Sequence, residues 1–521
     1  MKKNIIKIGL LSILGYGAVV SMNSCRDAVD IVQDGELNSD AFFTSVDNLQ
    51  GYLVGSVYNN VENAQAVYFT SLITDEVKPG VNSGGQGYET HRFYIDPSRS
   101  IVSDIWLQNN LLINRATRLI EGAKKVTPSS SEQATYNNII AEAKVLRALG
   151  YLQLLTYFSP DMANDNALGT MIISTVPGIS TKLPRSTNGA VYAVIEEDLT
   201  FAENHLTKQS DRYYVSKNLV NAIKARLYLY RGKYAEAKQY AQAVLNSSGL
   251  TLTTATPIPS GTVGDAAWNE AFYKDASTSP YKQIWSDNSQ GEVIFALSRP
   301  ISGGSYVQLP SYYNTNKSEI GGSPLWVMGR NLFNILDGTS GDIRRYAYID
   351  PTSTINNADY EAIYDDGKYT ADQIVIDKYP GKGSAATRND VKMFRLSEMY
   401  FILAECAVND NDLASARNYI HQVRQARNYS GAATTPVYAS QQAAWADILK
   451  ERRVELAFEG HRYIDLKRLA AKAGVTMDRN RTDDRPGITV TNLPNGDYRY
   501  TLPIPLAEIA GNPNIQQNPG Y

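Results

Sequence analysis

Charged side chains crowd one stretch of this chain, and their chemistry is the first question. The segment from Glu451 to Arg468 reads ERRVELAFEGHRYIDLKR. Glu455 and Glu459 offer paired carboxylates, and Arg452, Arg453 and Arg462 offer guanidiniums, at separations of three to seven residues. Paired carboxylates can hydrolyse glycosidic bonds. The same spacing puts several of these groups on one helical face, where they pair with each other instead. We read them as a structural ion-pair network. Other reactive signatures are missing: there is no H-E-x-x-H and no G-x-S-x-G, and Gly85-Gln86-Gly87 stops short of a phosphate-binding loop. Of the four histidines, His205, His421 and His461 fall in helical stretches, where solvation or packing explains them, and His91 lies in a loop. No metal or other cofactor is expected, and the chain reads as a non-enzyme.

Tyrosine is the unusual component, with 35 copies against 12 Phe and 5 Trp. A tyrosine ring has a flat apolar face and a polar tip, which suits helix packing and also wet contact surfaces. Most should be packed. The rest are candidates to face a hydroxyl-rich ligand. They should lie where the sequence turns rich in Gly, Ser, Asn and Tyr, at 79–99 and at about 250–390. The aromatic candidates are Tyr88, Tyr94, Trp285, Tyr306, Tyr312, Tyr313 and Trp326. Arg92 and Asn314 are the polar ones.

Scaffold elements must carry these loops. Ser39 and Ser45 are candidate helix N-caps, followed at helical spacing by Leu49, Leu53 and Val57. Long helices are expected over about 106–126, 136–158 and 445–471. Arg147 falls on the apolar face of the second, so it should be buried with a partner. Ala225, Tyr228, Gly232, Tyr234 and Ala237 follow tetratricopeptide spacing, with small residues where paired helices cross. A weaker copy runs through Ala404, Ala407, Asn411, Ala416, Ile420 and Val423. The copies are far apart, which excludes a regular solenoid. The expected architecture is mainly α: a tetratricopeptide-like scaffold (39–250 and 391–471), a loop-rich ligand region containing short strands (about 250–390), and a tail (472–521).

The N-terminus reads as an export signal. Lys2, Lys3 and Lys7 precede an apolar run from about Ile8 to Val20, too short to span a bilayer. Ser24-Cys25 then resembles a bacterial lipoprotein cleavage point, although Met22 and Asn23 depart from its usual Leu and small residue. The expectation is a signal peptide over 1–24, acylation at Cys25 and a lipidated tether over 25–38. The only other cysteine is Cys406, so acylation of Cys25 would leave no internal disulfide. A net charge of −3 with no basic stripe argues against nucleic acid.

The C-terminal motifs carry a family resemblance. The 451–468 segment resembles the signature helix of the SusD/RagB family. Leu502-Pro503-Ile504-Pro505, Glu508 and the ending Asn512-Pro513-Asn514-Ile515-Gln516-Gln517-Asn518-Pro519-Gly520-Tyr521 resemble its closing motif. Ala141-Glu142-Ala143, Arg147-Ala148 and Tyr151 resemble its early helix, and 38–58 its start. The resemblance implies a mostly helical surface lipoprotein of the outer membrane. It also implies binding of nutrients, most often oligosaccharides, and a lid-like pairing with a SusC-like TonB-dependent transporter. Peptide binding is the alternative within the family, and a surface glycoside hydrolase the alternative outside it.

Overall fold

The computed structural model describes residues 42–521 except 82, 179, 276, 305, 314–323 and 384. Cys25, Ser39 and Asn314 therefore lie outside the described residues. The scaffold is built from ten main helices: α1 (Ala64–Ile73), α2 (Ser100–Ala123), α3 (Gln133–Phe158), α4 (Asn188–His205), α5 (Lys217–Tyr230), α6 (Tyr234–Ser247), α7 (Leu396–Asn409), α8 (Leu413–Arg427), α9 (Gln441–Glu455) and α10 (Arg462–Ala473). Side chains fix several starts. Thr187, Ser216, Asp412 and Ser440 each accept a first-turn backbone N–H, and Ser45 caps a short preceding helix, Val46–Tyr52.

Consecutive helices pack in pairs, α2 with α3, α3 with α4, α5 with α6, α7 with α8, and α9 with α10. Arg147 is buried as expected. Its guanidinium grips Asp198 of α4 through two bonds of 2.7 and 2.8 Å, and Lys144 joins the same carboxylate at 2.6 Å. The two tetratricopeptide-like copies are the α5/α6 and α7/α8 pairs. Ala225, Ala237, Ala404 and Ala416 are fully buried where the helices cross. Gly232 and Asn411 hold the equivalent left-handed turn position, at φ 71° and 59°. Although far apart in sequence, the copies are neighbours in space, because α6 packs directly on α7. The loop-rich segment is thus looped out between two adjacent helical units.

That segment has two small antiparallel ladders and several short helices. β1 (Val77–Pro79) pairs with β3 (Trp326–Met328), Pro79 opposite Trp326. β2 (Val293–Leu297) pairs with β4 (Val391–Arg395), Val293 opposite Arg395. The first ladder ties the 79–99 loop to the 250–390 region.

One expectation fails. The helix expected over 445–471 is two helices, broken between Glu455 and Arg462. Phe458 and Gly460 take left-handed backbone angles there, φ 60° and 87°. A helix cannot continue through such residues. The break turns Glu455, Phe458 and Glu459 into the middle of the protein.

Candidate functional site

The charged signature segment is structural. Arg395 donates to Glu292 (2.7 Å), Glu455 (2.8 Å) and Glu459 (2.7 Å). Arg427 reaches Glu292 and Glu455, each at 2.8 Å, and Arg344 reaches Glu455 at 3.0 Å. Lys378 donates to Glu459 at 2.7 Å. Arg462 holds Asp75 through two bonds of 2.7 and 2.8 Å, and Arg452 holds Asp465 at 2.7 Å. Burial alone would push the Glu455 carboxyl up, but the guanidiniums of Arg427, Arg395 and Arg344 hold it well below the usual carboxylate range. These carboxylates carry saturated ion pairs and face no solvent. The network clips the looped-out segment (Glu292, Arg344, Lys378) and the N-terminal part (Asp75) onto α9 and α10.

The aromatic candidates separate by burial. Trp285, Tyr313 and Trp326 are fully buried, and Tyr88 is 8% exposed. Trp285 packs under Lys378 and Arg395, whose charges lie 4.3 and 5.1 Å from its ring. Tyr313 donates to Ser71 (2.8 Å), and the Trp326 indole N–H donates to the Tyr68 hydroxyl (3.1 Å). Tyr88 pairs with Ser83 through hydroxyls 2.6 Å apart and has Arg92 and Arg485 each 4.8 Å from its ring centre. The expectation that these four rings offer a stacking face is corrected: the core has used them. Arg92 is committed too, to Asp484 through two bonds of 2.9 Å.

Tyr94, Tyr306 and Tyr312 remain accessible. Tyr94 is 63% exposed, directly after Phe93 in a left-handed conformation. Tyr306 and Tyr312 are half-buried, and the structure brings them to the N-terminal end of α1. The Tyr312 ring stacks on Tyr68 of α1, centroids 3.8 Å apart and planes 8° apart. Gln65 donates to the Tyr312 hydroxyl, whose pKa is raised by burial and by the charges of Asp104 and Glu62. Glu62 in turn takes two bonds of 2.8 Å from Arg299, and the Tyr306 ring lies 4.5 Å from that guanidinium. Asp104, half-buried on α2, has its carboxyl pushed up by desolvation and has no side-chain partner among the described residues.

Two tyrosine faces thus sit beside carboxylate, amide and guanidinium groups held by a rigid helix end. Such an edge can stack a ring and hydrogen-bond its hydroxyls. Gly87 brings the 79–99 loop against the back of this cluster at φ 77°; an added Cβ would lie 3.0 Å from both Leu72 and the Tyr68 hydroxyl. The sequence reading missed Glu62, Gln65, Tyr68, Asp104 and Arg299. Tyr68 reads as ordinary core in AQAVYFTSLI, and the polar residues carry no motif.

Residues 338–521 match the model of the SusD family. SusD-like protein P2 of Formosa agariphila is 25% identical over 510 residues, 94% of this chain and 95% of its own. Among solved structures, a SusD superfamily protein of Bacteroides thetaiotaomicron superposes with a TM-score of 0.72 at 23% identity, covering 91% of this chain and 100% of that one. A SusD-like carbohydrate binding protein of Bacteroides vulgatus gives 0.67 at 21% identity, covering 91% and 97%. The mainly helical fold is the SusD-like fold. The resemblance to the SusD/RagB family, read from the C-terminal motifs, is shown by sequence and by fold together.

Proposed function

We propose that this protein is a non-catalytic binder of oligosaccharides at the cell surface. The observation that carries this reading is the α1 edge, where Tyr306 and Tyr312 stand beside Glu62, Gln65, Asp104 and Arg299. Saccharides need that combination, since their C–H faces stack on rings while their hydroxyls seek planar polar partners. Tyr94, exposed on the 79–99 loop, is a further proposed ligand contact, as is Asn314, which lies outside the described residues. The carbohydrate-binding relative of the same fold supports the ligand class. The non-catalytic reading is supported by the signature carboxylates, which are locked in ion pairs.

The proposal extends to location and partner. Residues 1–24 act as a lipoprotein signal, 25–38 as a tether acylated at Cys25, and 39–521 as the SusD-like body. An acyl anchor holds the body on the outer membrane. No helix among the described residues is long and apolar enough to cross a membrane. A SusC-like TonB-dependent transporter receives the ligand, and closure of one protein on the other traps it between them. Calorimetry against a panel of neutral and acidic glycans and of peptides tests the ligand class. Glycan heats with no peptide heats are expected. Peptide binding without glycan binding overturns the reading, and release of shortened glycan by purified protein overturns its non-catalytic part.

A further inference from the structure

A sizeable cavity lies away from the α1 edge. It encloses about 520 Å³ between the turn of the α5/α6 pair, the outer face of α10 and the C-terminal tail. That volume lies within the range of small-molecule sites, roughly 300–1,000 Å³. Its charges are unbalanced. Arg468 is saturated by Glu405 and Asp465. Lys467 is not: its ammonium donates to the Ser159 carbonyl (2.7 Å) and the Thr501 hydroxyl (3.0 Å), and makes no ion pair among the described residues. Lys472, five residues on, donates to the Tyr234 hydroxyl (2.7 Å) and likewise has no carboxylate partner among the described residues. Two acids line the cavity, and only Asp161 acts on Lys467, as a counter-charge beyond ion-pair distance. Asp497 holds Arg499 at 2.7 Å, and Asp161 accepts the Ala163 N–H at 3.0 Å.

An ammonium offset only by Asp161, beyond ion-pair distance, is costly to bury, and burial lowers the Lys467 pKa to about 7 against the opposing pull of Asp161. An anion placed there would relieve that cost. The walls also hold aromatic faces, Tyr234 half-buried and Tyr498 45% exposed. We propose that this cavity is a second binding site, taking an acidic saccharide whose carboxylate sits between Lys467 and Lys472 and whose ring packs on Tyr234 and Tyr498. The saccharide class rests on the glycan reading above; the anionic requirement rests on the two lysines alone.

The test is calorimetry on the whole protein with three probes: digalacturonate, the neutral digalactose of the same linkage, and benzoate as a non-sugar carboxylate. Digalacturonate is expected to bind, at least tenfold more tightly than digalactose, and benzoate weakly or not at all. Lys472→Glu, at an exposed position, should abolish digalacturonate binding with an unchanged melting temperature, and Lys467→Met should weaken it at least tenfold if that variant folds. Tyr312→Ala, at the other site, should leave it unchanged. Digalacturonate binding indifferent to Lys472→Glu overturns the proposal, as does equal binding of digalactose. Benzoate binding as tightly as digalacturonate overturns the saccharide assignment. If digalacturonate binding is lost in Tyr312→Ala and kept in Lys472→Glu, the second site falls while the glycan reading of the α1 edge stands. If no saccharide on the broader panel binds at all, the glycan reading falls with it.

Discussion

Tyr312 lies flat on Tyr68, with ring centroids 3.8 Å apart and planes 8° apart. One ring belongs to the looped-out segment and the other to α1, so the stack fixes where the loop meets the scaffold. Tyr68 is itself held by Trp326 from below. Only Tyr312 keeps a partly open surface, which makes it the ring that can stack a sugar. Tyr312→Ala should weaken glycan binding by roughly tenfold or more, the scale of an aromatic contact plus its buried area. Calorimetry should show that loss while circular dichroism stays unchanged.

Glu455 sits at the centre of a different arrangement. It accepts from Arg344, Arg395 and Arg427, which come from three separate parts of the chain. Removing one member of a buried ionic cluster leaves the others uncompensated, at a cost of about 3–5 kcal/mol. Glu455→Gln should lower stability by that order in denaturant unfolding. Glu508→Gln, at a carboxylate of the tail that accepts from two neutral donors, the Trp106 indole N–H at 3.3 Å and the Asn512 amide at 3.2 Å, should cost far less.

The scaffold was largely legible in the sequence, because 3.6-residue periodicity and small residues at crossing points leave a strong pattern. Arg147 on an apolar face announced its own ion pair. The break in the signature helix was hidden, since Phe458 is a poor turn residue and takes its left-handed angle only under tertiary constraint. The site was much less legible. Trp285 and Tyr306 occur in similar polar, glycine-containing surroundings, yet one is fully buried and the other is half-open. Burial is decided by contacts across hundreds of residues, such as the β1–β3 pairing, and local composition does not encode them. Glu62 and Arg299 become partners only through that long-range folding.

Asn411 does in the second helical unit what Gly232 does in the first. Both occupy the left-handed turn between paired helices. Asn411→Gly should therefore be neutral or slightly stabilising, while Asn411→Val should cost about 1–2 kcal/mol. Gly232→Val should carry a similar cost, because no neighbour lies within 4 Å of an added Cβ and backbone strain is the whole penalty. Thermal unfolding of the three variants checks the equivalence.

The proposed anchor has its own test. Cys25 lies outside the described residues, and an acyl chain at that point would act through the membrane. Cys25→Ala should move the protein from the membrane fraction to the soluble fraction without changing its melting temperature. Firm retention in the membrane after that change overturns the acyl anchor. In detergent extracts of cells carrying the unchanged protein, a large TonB-dependent barrel should co-purify, and ligand should increase its recovery. Recovery of the chain alone with ligand present counts against the lid mechanism.

Glu76 predicts how stability depends on pH. Its carboxylate is fully buried, accepting from the Phe458 N–H and the Ser71 hydroxyl, each at 2.9 Å. Burial is the main cause that raises its pKa to about 7, opposed by those two bonds and reinforced by the negative charge of Asp75. The folded protein therefore holds this proton between about 4.5 and about 7, where the unfolded chain has released it. In that window the unfolded state binds fewer protons, so this residue's contribution to stability falls as pH rises. The full cost, on the order of 3 kcal/mol, is present above pH 7 and absent below pH 4.5. Glu76→Gln keeps the shape and removes the titration. Other buried acids titrate in the same range, so the informative quantity is the difference between the two proteins. Glu76→Gln should gain stability relative to the parent at pH 8 and lose that advantage by pH 4.5, measured by urea unfolding across the range. A difference that stays constant with pH would show that Glu76 is ionised throughout.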